Sequence, residues 1–369
     1  MTAEAGDGGL VAARASVSTE IAIQPVRAWP SRRQLLVTAL FAAFLVYAAS
    51  EFVGPSAERL DLSHAQWGWI PVAIGLQAVC FALYGGLYHH GFRAVGVEAA
   101  ARRMVKVLFA SIFLKTVVPL AGATALVVFI DDANAHGQSG PRAAAGSIVV
   151  TAIDLVASLP FVGAGILALA VRDRLAPYDS AGAAIFTAFV AVLVGALVLA
   201  AVRPGLLDRL LRIAQALVNR AGRIAGRRQL VPEAWVHRSA EHFADAAAAV
   251  PRHPRSVGTA LGFSLGLHLV NALSLAALFL AFGLQPRPDV VIAGLGASIV
   301  FFVVAVVPDG IGAVEGAMAL VFVSLGVPPA VAILVTLAYR VLNVWVPVAL
   351  GYVFARQLRL FGGRGVATA

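Results

Sequence analysis

Several stretches of this chain run for twenty or more residues without a single Asp, Glu, Lys or Arg, among them 69–88 and 180–202. A helix needs about 20 consecutive apolar residues to cross a bilayer core. Inside lipid every backbone polar group must find its partner within the segment, which leaves helices or a closed barrel. Runs of this length and composition select helices, so the fold class is an all-α polytopic membrane protein. With 60% hydrophobic and 13% charged residues, no soluble domain of useful size can be cut from the 369 positions.

Residues 1–34 are rich in Ala, Gly, Ser and Arg and are expected to form a disordered cytosolic tail. They lack the basic start and short apolar core of a signal peptide. Apolar runs follow at 35–53, 69–88, 107–130, 143–171, 180–202, 256–285, 290–325 and 328–356, so 35–356 form one transmembrane domain and 357–369 a cytosolic tail. Trp67 and Trp69 stand where interfacial anchors belong. Between two of the spans, 203–255 carries ten arginines against four acids. Leu206, Leu210, Leu217 and Ala221 recur at helical spacing there, with Arg209, Arg212, Arg220 and Arg223 opposite. That pattern describes a helix lying on an anionic membrane surface, or one packed on another cytosolic segment.

The net charge of +9 has the same meaning, orientation and anionic lipid, because no basic fold interleaved with exposed aromatics is present for nucleic acid. The lone Cys80 lies in an apolar run and serves as a small hydrophobe. No metal site or cofactor is expected. His237 and His242 are five apart and do not share a helix face as zinc ligands four apart would. No nucleophile stands beside a base, and enzyme activity is not expected.

Basic loops favour the cytosol, and this bias gives a parity test. If every run crossed once from a cytosolic N-terminus, the arginine-rich 203–255 would fall outside. The conflict disappears if 107–130, divided by Pro119 and Gly122, enters and leaves on one face. The run 290–325 must then do the same from the other face. The expectation is about six full spans and two re-entrant hairpins, with both termini cytosolic. The run 143–171, which holds Pro160, is the alternative first hairpin.

The two hairpins also resemble each other. Val117-Val118-Pro119 and Val306-Val307-Pro308 lie 189 residues apart, and at that offset Gly137 falls on Gly326, Ala143 on Ala332 and Asp154 on Asn343. With opposed orientations this suggests an inverted-topology repeat, whose site lies at the repeat interface near the midplane.

The second hairpin holds the densest chemistry: Pro308-Asp309-Gly310-Ile311-Gly312-Ala313-Val314-Glu315, followed by Arg340 and Asn343. Ionisable residues at membrane depth are costly and are functional candidates by default. Arg340 either forks onto a phosphate or pairs with Glu315 or Asp154. Lys115 is a second phosphate contact or the partner of Asp154. Glu315 is a candidate proton-coupling group, or the ion-pair partner that holds the hairpin. Asp309 is placed to cap the helix that follows. Gly310 and Gly312 offer backbone donors to an anionic headgroup, or simply make the turn. Asp154 and Asn343 line the same cavity or bond across helices. His268 and Asn271, one turn apart, form an interhelical pair or part of a proton path.

The motif Pro308–Glu315, then Leu325-Gly-Val-Pro-Pro329, then Tyr339-Arg340 with Pro347, resembles the flippase-like transmembrane family that contains the membrane half of lysylphosphatidylglycerol synthases. Phe113-Leu-Lys-Thr-Val-Val-Pro119 is similar to that family's first block. The likeness spans roughly 70–356. It implies two re-entrant elements and movement of phospholipids or glycolipids between leaflets. Two departures stand out. Lys115 occupies a place where asparagine is common in the family, and the first turn is reduced to Pro119-Leu-Ala-Gly122. The chain ends about a dozen residues after its last span, without the synthases' aminoacyl-transferase half, so the transport role alone is expected to carry over.

The resulting expectation is a lipid translocator of the bacterial inner membrane, acting on an anionic phospholipid or a polyprenyl-phosphate-type glycolipid. The alternative is a non-transporting scaffold for an envelope or glycolipid assembly enzyme, docked on the basic segment 203–255.

Overall fold

The computed structural model describes residues 65–117, 121–203, 247–305 and 308–358, with scattered positions between 205 and 244. The predicted first span at 35–53, the tail 1–34, residues 118–120 and most of 203–255 lie outside the described residues, as does the C-terminal tail from 359.

Ten helices can be followed: α1 (Trp69–Ala94), α2 (Ala101–Val117), α3 (Ala121–Ala135), α4 (Gly140–Val171), α5 (Pro177–Val202), α6 (Pro254–Ala281), α7 (Pro288–Val304), α8 (Ala313–Ser324), α9 (Pro329–Arg340) and α10 (Val346–Gln357). Among the described residues there is no strand. Proline stands in the first turn of α4, α5, α6, α7 and α9. Its fixed φ suits that position, and its missing N–H costs nothing there. A five-residue π turn, Val341–Trp345, joins α9 to α10.

Among the described residues, five elements are long and apolar enough to cross a membrane: α1, α4, α5, α6 and the continuous α9–α10. The sixth expected span falls on residues not described. Pro160 sits inside α4 without breaking it, so 143–171 spans and the alternative first hairpin is excluded. The hairpins are α2–α3 and α7–α8. Their arms are 17, 15, 17 and 12 residues long. At 1.5 Å per residue these arms reach roughly 18–26 Å, short of a core about 30 Å thick.

Helix direction follows from α1 and α6, which lie antiparallel. Gln66 N–H donates to the Ala281 carbonyl at 3.0 Å, and Ser274 Oγ to the Ala73 carbonyl at 3.4 Å. Tracing onward, the end of α1, the base of α2–α3, the start of α4, the end of α5 and the start of α6 share one face, termed here the basic face. The base of α7–α8 lies on the other. The two hairpins therefore open to opposite faces, as the arginine parity requires. Each base is clasped. Gln138 donates to the Glu98 carbonyl and accepts from the Glu98 N–H, at 2.7 and 2.9 Å. Arg103 forks onto Asp132 at 2.6–3.0 Å. At the other base, Arg287 reaches Asp289 at 2.8 Å and the Leu325 carbonyl at 3.5 Å, while Arg172 meets Asp289 at 2.9 Å.

The inverted repeat has a backbone signature. The N–H of Gln138 returns to the Ala133 carbonyl around Gly137, and the N–H of Val327 to the Phe322 carbonyl around Gly326, at 2.9 and 3.0 Å. Both glycines have positive φ, 71° and 89°, which only glycine adopts at little cost. These two identical caps are 189 residues apart, the offset of the sequence match. One unit is thus α1–α4, and its inverted counterpart is α6–α10.

The units exchange hairpins. Arm α2 packs on α10, and arm α7 packs on α4. Both crossings rely on missing side chains. Gly351 presses its Cα face onto the Phe109 carbonyl, and Gly165 meets the Ile292 carbonyl and Gly296. The apolar core divides accordingly, one cluster around Leu275, Phe279, Met318 and Phe322 and another around Leu87, Phe92, Val107 and Phe129. Helix α5 leaves Ile185, Val192 and Val198 on its outer side, as a lipid-facing helix does.

Candidate functional site

The exchange brings the two hairpin tips together. Lys115 and Thr116, the penultimate residues of α2, meet Asp309 in the turn between α7 and α8. The Lys115 ammonium is 2.5 Å from Asp309 Oδ1, and Thr116 Oγ1 donates to Asp309 Oδ2 at 2.5 Å. Lys115 also lies over the Phe302 ring at 5.2 Å, a cation–π contact that helps hold a charge away from water. Its side chain keeps 27% exposure, against 4% for Asp309.

The second tip carries its own brace. Arg340 Nε donates to Glu315 Oε1 at 2.7 Å, and its NH2 group donates to the Asp309 carbonyl at 2.7 Å. The other Glu315 oxygen accepts the Gly312 N–H at 2.7 Å. Both side chains are nearly sealed, 4% and 2% exposed. Guanidinium, carboxylate and turn backbone thus form one closed network. This arrangement lets a proline- and glycine-broken turn exist at membrane depth, since the groups an α-helix would satisfy are satisfied here by side chains. The backbone needs the glycines: φ is 63° at Gly310 and 85° at Gly312, and Asp309 shares the left-handed region at 53°. A non-glycine residue held there is a mark of local strain tolerated for a reason.

Several sequence expectations resolve differently from their first form. Asp309 does not cap α8; Glu315, three residues into the helix, reaches back to do so, and Asp309 is turned to the other hairpin. Lys115 pairs with Asp309 rather than Asp154. Of the two partners considered for Arg340, the structure selects Glu315. The Gly312 N–H, offered to a headgroup in the sequence reading, is engaged by Glu315, and Gly310 is buried against Phe302 and Val314.

Asp154 and Asn343 do not touch. They lie at two ends of a polar seam along α6, where Ser264, His268 and Asn271 fall at helical spacing. Ser264 Oγ donates to Asp154 Oδ1 at 2.6 Å, and His268 Nε2 lies 3.4 Å from the same oxygen and 3.4 Å from the Asp154 backbone carbonyl, with which it is hydrogen-bonded. One turn on, Asn343 Nδ2 donates to Asn271 Oδ1 at 3.1 Å and to the Tyr339 hydroxyl at 3.4 Å. The thiol of Cys80, 3.5 Å from the same Asn271 oxygen, joins the seam and is not merely an apolar filler. His268 and Asn271 therefore serve different partners. Sequence reasoning missed Thr116 and Ser264. Each had a signal: Thr116 adjoins the membrane lysine, and Ser264 lies one turn before His268 on the same face.

Away from the tips, an apolar groove of about 510 Å³ runs between α4 and α5, lined by Leu159, Gly163, Ile166, Ala184 and Thr187. Among the described residues no cluster of three or more His, Cys, Asp or Glu could hold a metal ion.

The comparison with protein families now bears on this geometry. The family model described as the lysylphosphatidylglycerol synthase TM region matches residues 34–351. The chain belongs to that family. No curated protein and no solved structure matches it. The match takes in every element from α1 to α9 and both hairpin tips. Membership and the five apolar helices together make this a multi-pass membrane protein of the lysylphosphatidylglycerol synthase transmembrane family.

Proposed function

We propose that the protein is a lipid translocator, passing an anionic phospholipid or polyprenyl-phosphate-type headgroup between leaflets while the acyl chains stay in the bilayer. It resides in this reading in the bacterial inner membrane, with the basic face and both termini in the cytosol. It carries out no synthesis of its own. One observation supports the reading above others: two hairpins that open to opposite faces meet tip to tip through Lys115 and Asp309. A polar path across lipid needs an entrance on each side and a charged point between them. The tip supplies an ammonium whose present counter-ion is a carboxylate of the opposite hairpin. A phosphate oxygen can replace that carboxylate, because the two anions make the same kind of charge-assisted hydrogen bond. Arg340, held by Glu315, then keeps the second tip in shape rather than gripping the headgroup directly.

The test is headgroup-labelled anionic lipid in proteoliposomes, read as the fraction reached by a membrane-impermeant quencher. The intact protein should raise that fraction above empty liposomes, Lys115→Ala should reduce the effect at least tenfold, and Lys115→Arg should retain part of it. No difference from empty liposomes, across anionic phospholipids and polyprenyl phosphates alike, would sink the reading and turn attention to a scaffold docked through the arginine-rich segment.

A further inference from the structure

Six ionisable side chains lie at membrane depth among the described residues: Lys115, Asp154, His268, Asp309, Glu315 and Arg340. Four of them cancel. Lys115 faces Asp309, and Arg340 faces Glu315, each a basic group against a carboxylate. The remaining two are Asp154 and His268, 3.4 Å apart near the midpoints of α4 and α6. Their sum is not fixed. With one proton between them the pair is neutral, as imidazolium and carboxylate or as imidazole and carboxylic acid. With two protons it is a cation, and with none an anion. An unbalanced charge at this depth is costly in lipid, and an imidazole beside a carboxylate can share one proton with it.

The surroundings favour a proton-binding role over a purely structural bond. Ser264 Oγ donates to Asp154 Oδ1 at 2.6 Å, fixing that carboxylate without adding charge. The Asp154 side chain remains 26% exposed, whereas that of His268 is at 9%, so the acid is the more accessible member. Tyr84 and Tyr88 of α1 face Asp154 within electrostatic reach, and both are neutral donors. Helices α3, α5 and α7 bring no acid, base or histidine to this level; their charged residues stand at the helix ends. Helix α9, which also packs on α6, brings Tyr339 and Arg340, the latter paired with Glu315, and α1 brings His90, which stacks on Phe263 beside Ser264.

We propose that Asp154 and His268 form the proton-carrying site of the protein, in place of Glu315. The proposal rests on the translocator reading for its purpose, though not for the proton binding itself. One proton enters the pair from one face and leaves to the other; an O–H or N–H bond forms and breaks, and no electrons move. A headgroup bearing one negative charge, moving together with that proton, crosses without net charge. Asn271, one turn along α6 from His268, is held by Asn343 just beyond Arg340, so α6 itself connects the pair to the helix that braces the second tip. Glu315 is unsuited to this task, because its two oxygens are occupied by Arg340 and the Gly312 N–H.

Two measurements separate this inference from the reading it builds on. Infrared difference spectra of the protein in lipid, titrated between about pH 5 and 8, read carboxyl protonation directly, whatever the protein transports. A titrating carboxyl band should vanish in Asp154→Asn, shift its midpoint in His268→Gln and persist in Glu315→Gln. A band that survives Asp154→Asn and vanishes in Glu315→Gln overturns the proposal, as does the absence of any titrating carboxyl or imidazole band. In proteoliposomes, an imposed pH gradient should change the initial rate of labelled-lipid movement several-fold, and a membrane potential alone should leave it unchanged. Asp154→Asn should abolish the response to the gradient, and whatever movement remains should respond to a membrane potential instead. If Asp154→Asn keeps the gradient response, the coupling role is refuted even where lipid movement itself is confirmed.

Discussion

The two hairpins share a plan and differ at their tips, and the difference separates structure from chemistry. The α7–α8 tip is closed within its own unit: Arg340, Glu315 and the turn backbone satisfy one another in a nearly sealed network. The α2–α3 tip sends its described polar contacts across to the other unit, through a lysine that keeps a quarter of its side chain exposed. Nearly sealed ion pairs are demanding, since each partner without the other is a bare charge in a poor solvent. Partly exposed pairs are weak and exchangeable. One tip is therefore built to stay as it is, and the other is built to let go.

That contrast can be broken most forcefully at Arg340. Arg340→Ala leaves Glu315 buried without its cation and should cost about 3–5 kcal/mol, seen as a large loss of thermal stability in detergent. The double change Arg340→Met with Glu315→Gln, which removes both charges, should recover much of that loss. Next comes the packing of the hairpins on their host helices. Gly351→Ala would drive a methyl into the Phe109 backbone and should cost about 1–3 kcal/mol. Gly165→Ala, with 3.0 Å to the Ile292 carbonyl, should be the milder of the two. Lys115→Ala, which leaves Asp309 with the Thr116 hydroxyl, should cost about 1.5–3 kcal/mol, in the range of a charged hydrogen bond lost, yet have the larger effect on lipid movement. If Lys115→Ala proves as destabilising as Arg340→Ala, the two tips do not differ in kind. The smallest effect belongs to the clasp at the α2–α3 base: Arg103→Ala should cost about 1 kcal/mol, diminished by salt.

Much of this architecture is legible in the sequence because lipid leaves few choices. Proline and glycine at 119, 122, 308, 310 and 312 disqualify plain spans, and the arginines at 203–255 then fix which runs must turn back. The offset of 189 is visible in five identities, and the paired caps at Gly137 and Gly326 give it physical content. The partners are less legible. Lys115 has three acids within plausible reach at membrane depth, and only the meeting of the tips selects Asp309. Asp309 looks like a helix cap by position, but its left-handed backbone aims the carboxylate away from α8. The polar seam on α6 was half visible, since His268 and Asn271 mark the face while their separate partners depend on where α4 and α9 cross it. The amphipathic segment and the first span lie outside the described residues.

The π turn at Val341–Trp345 adds a mechanical consequence. It returns the Val346 N–H to the Val341 carbonyl, and Pro347 just beyond supplies no N–H at all, so the last membrane helix is weakest at its middle. On one side of that weak point α9 holds Arg340, and with it the tip of α7–α8. On the other, α10 holds Gly351, and with it the arm α2. The helix is thus a lever with one hairpin fastened to each end and its fulcrum between them. Flexing it would draw Lys115 from Asp309 while Arg340 and Glu315, both on the same side of the fulcrum, travel together undisturbed.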